Sequence, residues 1–139
     1  MLSLVTAACI GQAAAAYNID PVVIAAIMRT EGGTVGQYTE NTNGTRDLGP
    51  MQINDDVWVG EVADHFFRGN ERLAERELLN NGCFNVRAGA WILRRNIDLS
   101  DGDVLEGVGR YHSWTVRHKE RYKGAFMRSI RSITGISRN

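Results

Sequence analysis

Apolar residues in this chain recur at intervals of three and four almost throughout, and one stretch, residues 34–54, breaks that rhythm. The contrast is the strongest constraint on the fold, because a 3.6-residue period belongs to helices with one buried face. "NIDPVVIAAIMRTEGG" is the best punctuated segment. Asp20 is placed to cap it, Pro21 takes the first helical position, and Gly32 or Gly33 ends it. Asn54 or Asp55 then caps a helix through roughly Phe67, and a polar helix runs from Asn70 to a stop at Gly82. "FNVRAGAWILRRNI" follows, with Val86, Ala90, Leu93 and Ile97 at helical spacing. "SDGDVLEGVGRYHSW" puts Val104, Val108 and Tyr111 on one face, and the last helix uses Tyr122, Phe126, Ile130 and Ile133. At the start, Leu4, Ala8 and Ala15 with Val5 and Ala16 read as a buried first helix with no strong cap of its own. No convincing alternating strand appears, though a small hairpin within 34–54 is compatible with the composition. The expected class is all-α: a single globular helical domain over residues 1–139 with one long loop.

Length and charge narrow the function classes. At 139 residues the chain suits one domain with a proper core. Lys plus Arg equals Asp plus Glu, 16 each, which is not the basic balance of a nucleic-acid binder. Only two prolines occur and no Ser/Gly/Pro-rich linker divides the chain. The apolar start "MLSLVTAACIGQAAAA" lacks a basic flank, is interrupted by Gln12 and is too short to span a membrane. A signal remnant or a lipoprotein role for Cys9 is therefore less favoured than a buried helix. For an exported protein the signal would lie outside this sequence.

The loop at 34–54 is rich in Gly, Thr and Asn but ends in the apolar "LGPMQIN", which suits a functional loop better than a disordered one. Just before it stands Glu31. Ile24, Ile27, Met28 and Glu31 follow i, i+3, i+4, i+7 spacing, so the carboxyl shares a face with apolar side chains. It also sits at a helix C-terminus, where the carbonyl ends disfavour negative charge. Both effects raise its pKa, as a general acid working near neutrality requires. The plainer alternative is a solvated helix-end glutamate, or one that holds the loop by hydrogen bonds.

"EGG" at 31–33, "NTNGTRDLGPMQIN" at 41–54, "CFNVRAGAWIL" at 83–93 and "VGRYHS" at 108–113 come in the order found in lytic transglycosylases. The pattern, over about residues 7–125, resembles the soluble-lytic-transglycosylase catalytic domain, a goose-lysozyme-like fold. It looks closest to the small specialised enzymes of type IV secretion, conjugation and pilus systems. The resemblance implies cleavage of the β-1,4 bond between N-acetylmuramic acid and N-acetylglucosamine in peptidoglycan. One carboxyl would serve as acid and then as base, with the muramic C6 hydroxyl as nucleophile and a 1,6-anhydromuramoyl end as product. Ordinary glycosidases use two carboxylates. Glu31 matches the single acid/base. Met51 and Gln52 match the residues that line the saccharide groove, Asn85 an asparagine that bonds the loop, binds substrate or caps its helix, and Tyr111 a tyrosine beside the acid. Asp47 is expected to fix the loop. Gly32 stands where the family commonly has serine, and Arg110 and His112 flank Tyr111 in place of the usual alanine and asparagine.

A chain resembling an exported enzyme and carrying two cysteines implies a bridge between Cys9 and Cys83, hence a periplasmic location, with two buried free thiols as the alternative. His65, His112 and His118 have no metal-ligand spacing with the cysteines, so neither metal nor cofactor is expected. The implied partners are peptidoglycan glycan strands and components of a secretion, conjugation or pilus apparatus, with no nucleic acid and no membrane span. A hydrolytic lysozyme, or a binding or structural component that has lost activity, are the competing functions.

Overall fold

The computed structural model of the chain describes residues 1–136. Among these, helices dominate: α1 (Ala7–Tyr17), α2 (Pro21–Glu31), α3 (Asp55–Phe66), α4 (Glu71–Asn80), α5 (Gly82–Asp98), α6 (Val104–His112) and α7 (Val116–Thr134). Between α2 and α3 lie three short strands, β1 (Tyr38–Glu40), β2 (Arg46–Leu48) and β3 (Ile53–Asn54), paired antiparallel in the order β1-β2-β3. The aperiodic loop therefore holds a small sheet, with Tyr38 opposite Leu48 and Leu48 opposite Ile53. This is a mostly helical, lysozyme-like fold.

Side-chain caps explain most of the boundaries. Asp20, Asn54, Asn70, Asn81 and Asp103 each accept a backbone N–H from the first turn of the helix that follows. Asn81 ends α4 and caps α5, so the two helices meet at one residue. Helix α5 is the central element. It packs against α1, α4 and α6, and Val86, Ala88, Ala90, Ile92, Leu93 and Ile97 on it are buried. Helix α6 lies close to both neighbours because two glycines give it bare patches. A Cβ at Gly107 would fall 2.5 Å from the Ile97 side chain, and one at Gly109 2.6 Å from that of Lys119. Ile24 and Ile27 on α2 are fully buried, each stabilising by about 2 kcal/mol.

Several expectations shift. The first helix starts only at Ala7, and Leu4 lies before it, 71% exposed. Its buried face is Cys9, Ala13 and Ala14, while Ala8, Ala15 and Ala16 face out. It is also well capped: Thr6 accepts from the Cys9 N–H, and the Cys9 sulfur accepts from the Thr6 N–H. Val104 and Ile133 are exposed, because α6 and α7 each bury a narrower face than the periodicity suggests. Gly82 begins α5 instead of ending α4.

Cys9 and Cys83 form a disulfide, joining α1 to the first turn of α5. Beside it the extended N-terminal segment is held by backbone bonds, Ser3 N–H to the Asn80 carbonyl at 2.9 Å and Gly82 N–H to the Ser3 carbonyl at 2.7 Å. No single helix among the described residues is long and apolar enough to cross a membrane. The apolar pair α1 and α2 is bent by 118° and packs into the body.

Candidate active site

The last turn of α2 delivers Glu31 to a groove of about 490 Å³ between the small sheet and α5–α6. The double glycine after it has two separate causes. Gly32 ends the helix in the left-handed region at φ 67°, its N–H returning to the Met28 carbonyl. Gly33 is needed for space: a Cβ there would lie 1.9 Å from the Gly49 carbonyl oxygen and 2.7 Å from Gln52 Nε2. The loop that forms the groove wall thus rests directly on the backbone after the glutamate.

Burial pushes the Glu31 carboxyl up to about 7. The nearby Asp47 charge adds to the rise. The Tyr122 hydroxyl opposes it, lying close to the carboxyl though without a fully formed hydrogen bond among the described residues. Tyr122 comes from α7, and its phenol is pushed far above its ordinary value by burial, then by the Glu31 and Tyr111 charges. A carboxyl that is half protonated near neutrality can donate a proton and, once ionised, take one back.

The wall is fixed from below by Asn85. This side chain is fully buried on α5, where it accepts the Met51 N–H at 2.8 Å and donates to the Leu48 and Leu78 carbonyls, each at 2.9 Å. It lies inside the helix, so it is not the N-cap, and with no exposed surface it does not reach a ligand. Of the alternatives for Asn85, bonding the loop is the observed one. Met51 is likewise fully buried, its side chain packed against Gly89. Of the "MQ" pair, only Gln52 lines the groove. Alternation along the turn explains this: one side chain enters the core and the next faces out, with Gln52 at φ 52°. Gln52 Nε2 donates to the Gly49 carbonyl at 3.0 Å and to the Asp47 carbonyl at 3.3 Å, while its side-chain oxygen has no hydrogen-bond partner among the described residues.

Tyr111 borders the groove from α6, and its hydroxyl donates to the Met51 carbonyl at 2.7 Å. Burial, then the Glu31 and Asp47 charges, hold that phenol well above its usual range, so it remains a donor. Asp47 Oδ1 accepts from Asn54 Nδ2 at 3.0 Å, pinning β2 to β3, while its charge still acts on Glu31. His112 stacks on Tyr122, with ring centroids 4.6 Å apart and planes 3° from parallel. Burial lowers the His112 pKa, the His118 charge lowers it further, and Asp47 opposes both. No group of three or more His, Cys, Asp or Glu converges as a metal site among the described residues.

A family model, the transglycosylase SLT domain, matches residues 8–133. The chain belongs to this family. It is a peptidoglycan lytic transglycosylase. Among its relatives are the invasion protein IagB of Salmonella typhimurium, strains SL1344 and LT2, 30% identical over 132 residues. That alignment covers 91% of this chain and 77% of IagB. The protein IpgF of Shigella flexneri is 32% identical over 121 residues, covering 84% of this chain and 74% of IpgF. In the transglycosylase, Tyr122 is the site residue that periodicity hides. It reads as one more aromatic on the buried face of α7. The available signal is chemical: a buried tyrosine, unlike Phe126, carries a hydroxyl that needs a partner.

Proposed function

We propose that this lytic transglycosylase cleaves the MurNAc-β-1,4-GlcNAc bond with Glu31 as its only acid/base and releases 1,6-anhydromuramoyl ends. The observation that carries the reading is a carboxyl raised to about 7 in the groove. Protonated, it delivers its proton to the leaving glycosidic oxygen. Ionised by that step, it takes the proton of the muramic C6 hydroxyl as that oxygen closes on C1. The proton returns to Glu31, and no water is consumed. Gln52 and Tyr111 border the glycan path, while Asn85 and Met51 act beneath it by holding the wall.

Asp47 is the one observation that favours a second reading, hydrolysis by two carboxylates, since its charge acts on Glu31. Its hydrogen bond to Asn54 supports a loop-fixing role instead. Mass spectrometry of digested peptidoglycan separates the two readings. Anhydro ends are one water lighter than reducing ends. Asp47→Asn should retain a substantial fraction of activity if the C6 hydroxyl is the nucleophile. Reducing ends, or an Asp47→Asn loss as deep as that of Glu31→Gln at unchanged melting temperature, would establish the hydrolase.

The family relationship and the disulfide support action in the periplasm. The relationship to an invasion protein supports a role in opening the wall locally where an envelope-spanning machine is assembled. Deleting the gene and following assembly of that machine beside wall integrity tests this role.

A further inference from the structure

Trp114 is a large apolar side chain left 57% exposed, and it borders the same groove as Glu31. It stands on the short connection between α6 and α7, where Ser113 Oγ accepts the Thr115 N–H at 3.1 Å. Its indole is backed by Arg110, whose guanidinium carbon lies 4.2 Å from the ring centroid. Arg110 is itself tied down: Nη1 donates to the Leu99 carbonyl at 3.0 Å and to Ser100 Oγ at 2.9 Å. Its Nε lies 3.6 Å from Glu106 Oε1, and Glu106 is also ion-paired with Lys119 and Lys123 of α7. An exposed tryptophan on an unsupported loop would sample many orientations. This one is held by a cation hydrogen-bonded to Leu99 and Ser100, just after α5, and ion-paired with Glu106 on α6.

We propose that Trp114, oriented by Arg110, is a stacking platform for one N-acetylhexosamine ring of the glycan strand. The inference rests on the proposed glycan cleavage and adds a subsite to it. A pyranose presents a C–H face and a rim of polar groups. The C–H face suits the open face of an indole, and the rim suits side chains such as Asn41 and Asn43, which line the same groove. A cationic ligand is disfavoured, because Arg110 already sets a positive charge against the opposite face of the indole. Trp114 touches substrate in this assignment, and Arg110 is a positioning residue.

The test uses the full chain and an N-acetylglucosamine pentamer. In a Glu31→Gln background, which blocks turnover, the pentamer should bind, and adding Trp114→Ala should weaken binding about tenfold. Trp114→Phe should recover most of the loss. On peptidoglycan with Glu31 intact, Trp114→Ala should raise KM while kcat stays within about twofold. The ring is largely exposed, so the variants should melt at the wild-type temperature. Unchanged pentamer affinity in Trp114→Ala would overturn the platform, as would a loss confined to kcat, no recovery with Phe, or no pentamer binding by the parent. Any of these can occur with wild-type peptidoglycan cleavage and anhydro products intact. Failure of the cleavage reading would appear in the wild-type digest itself.

Discussion

At the scale of single residues, the raised pKa of Glu31 links its proposed acid/base role to stability. Its folded-state value, about 7, lies above the ordinary 4.5, so the native state keeps a proton that the unfolded chain has released. Stability should therefore fall as pH rises from about 4.5 through about 7, by roughly 2 kcal/mol after allowance for screening. Glu31→Gln should abolish cleavage, because an amide cannot donate a carboxylic proton. It should also remove that slope, so that the variant gains on wild type at pH 8 but not at pH 4. Urea melts at the two values measure it, and a variant advantage equal at both would contradict the assignment. Wild-type activity should decline above about pH 7 as the acid form is lost. The neighbouring glycines give a second contrast. Gly33→Ala must displace the Gly49 carbonyl and Gln52, so activity should drop more than tenfold, with about 1–3 kcal/mol of stability. Gly32→Ala meets open space and suffers only the left-handed backbone, about 1 kcal/mol, so most activity should remain. Equal damage from both substitutions would show that the close approach does not govern the wall.

At the scale of elements, the joint between α5 and the loop is the critical one. Asn85→Ala would leave the Met51 N–H and the Leu48 and Leu78 carbonyls unpaired in the core, at a cost of roughly 3 kcal/mol or more. Asn85→Asp should be comparably damaging, since a carboxylate cannot make the two donations. Thermal denaturation of both variants tests this, and a loss below about 1 kcal/mol would indicate that the loop is held elsewhere. Most of the helix starts were legible, because caps such as Asp20, Asn54 and Asn70 act locally and leave their mark in adjacent residues. The cap of α1 was not legible, since one of its two partners is a cysteine sulfur. Glu31 stood out for its place on an apolar face at a helix end. The burial of Met51 and Asn85, the approach of Tyr122 and the backing of Trp114 by Arg110 are contacts between distant segments. Periodicity within one segment carries no trace of them.

At the scale of the whole molecule, the disulfide closes a loop of sequence separation 74 and should stabilise by about 4 kcal/mol on chain-entropy grounds. Reduction should lower the melting temperature by about 10 °C. Activity below the lowered transition should survive, since neither sulfur borders the groove and the Ser3 backbone bonds still hold the N-terminal segment. Intact mass after alkylation, with and without reductant, reports the bridge, and melting under both conditions reports its effect. Loss of cleavage well below the transition would instead tie the bridge to the site.

The surroundings of Glu31 come from four separate stretches of chain: Glu31 itself, the wall with Asp47 and Gln52, Tyr111, and Tyr122 on the last helix. Synthesis presents these in order, with α7 last. Until the chain has closed around it, Glu31 lacks the burial that raises it, and a carboxyl at its ordinary value carries almost no proton at neutral pH. A partly emerged chain thus holds Glu31 in a form with no proton to give, and completion of the fold supplies that proton.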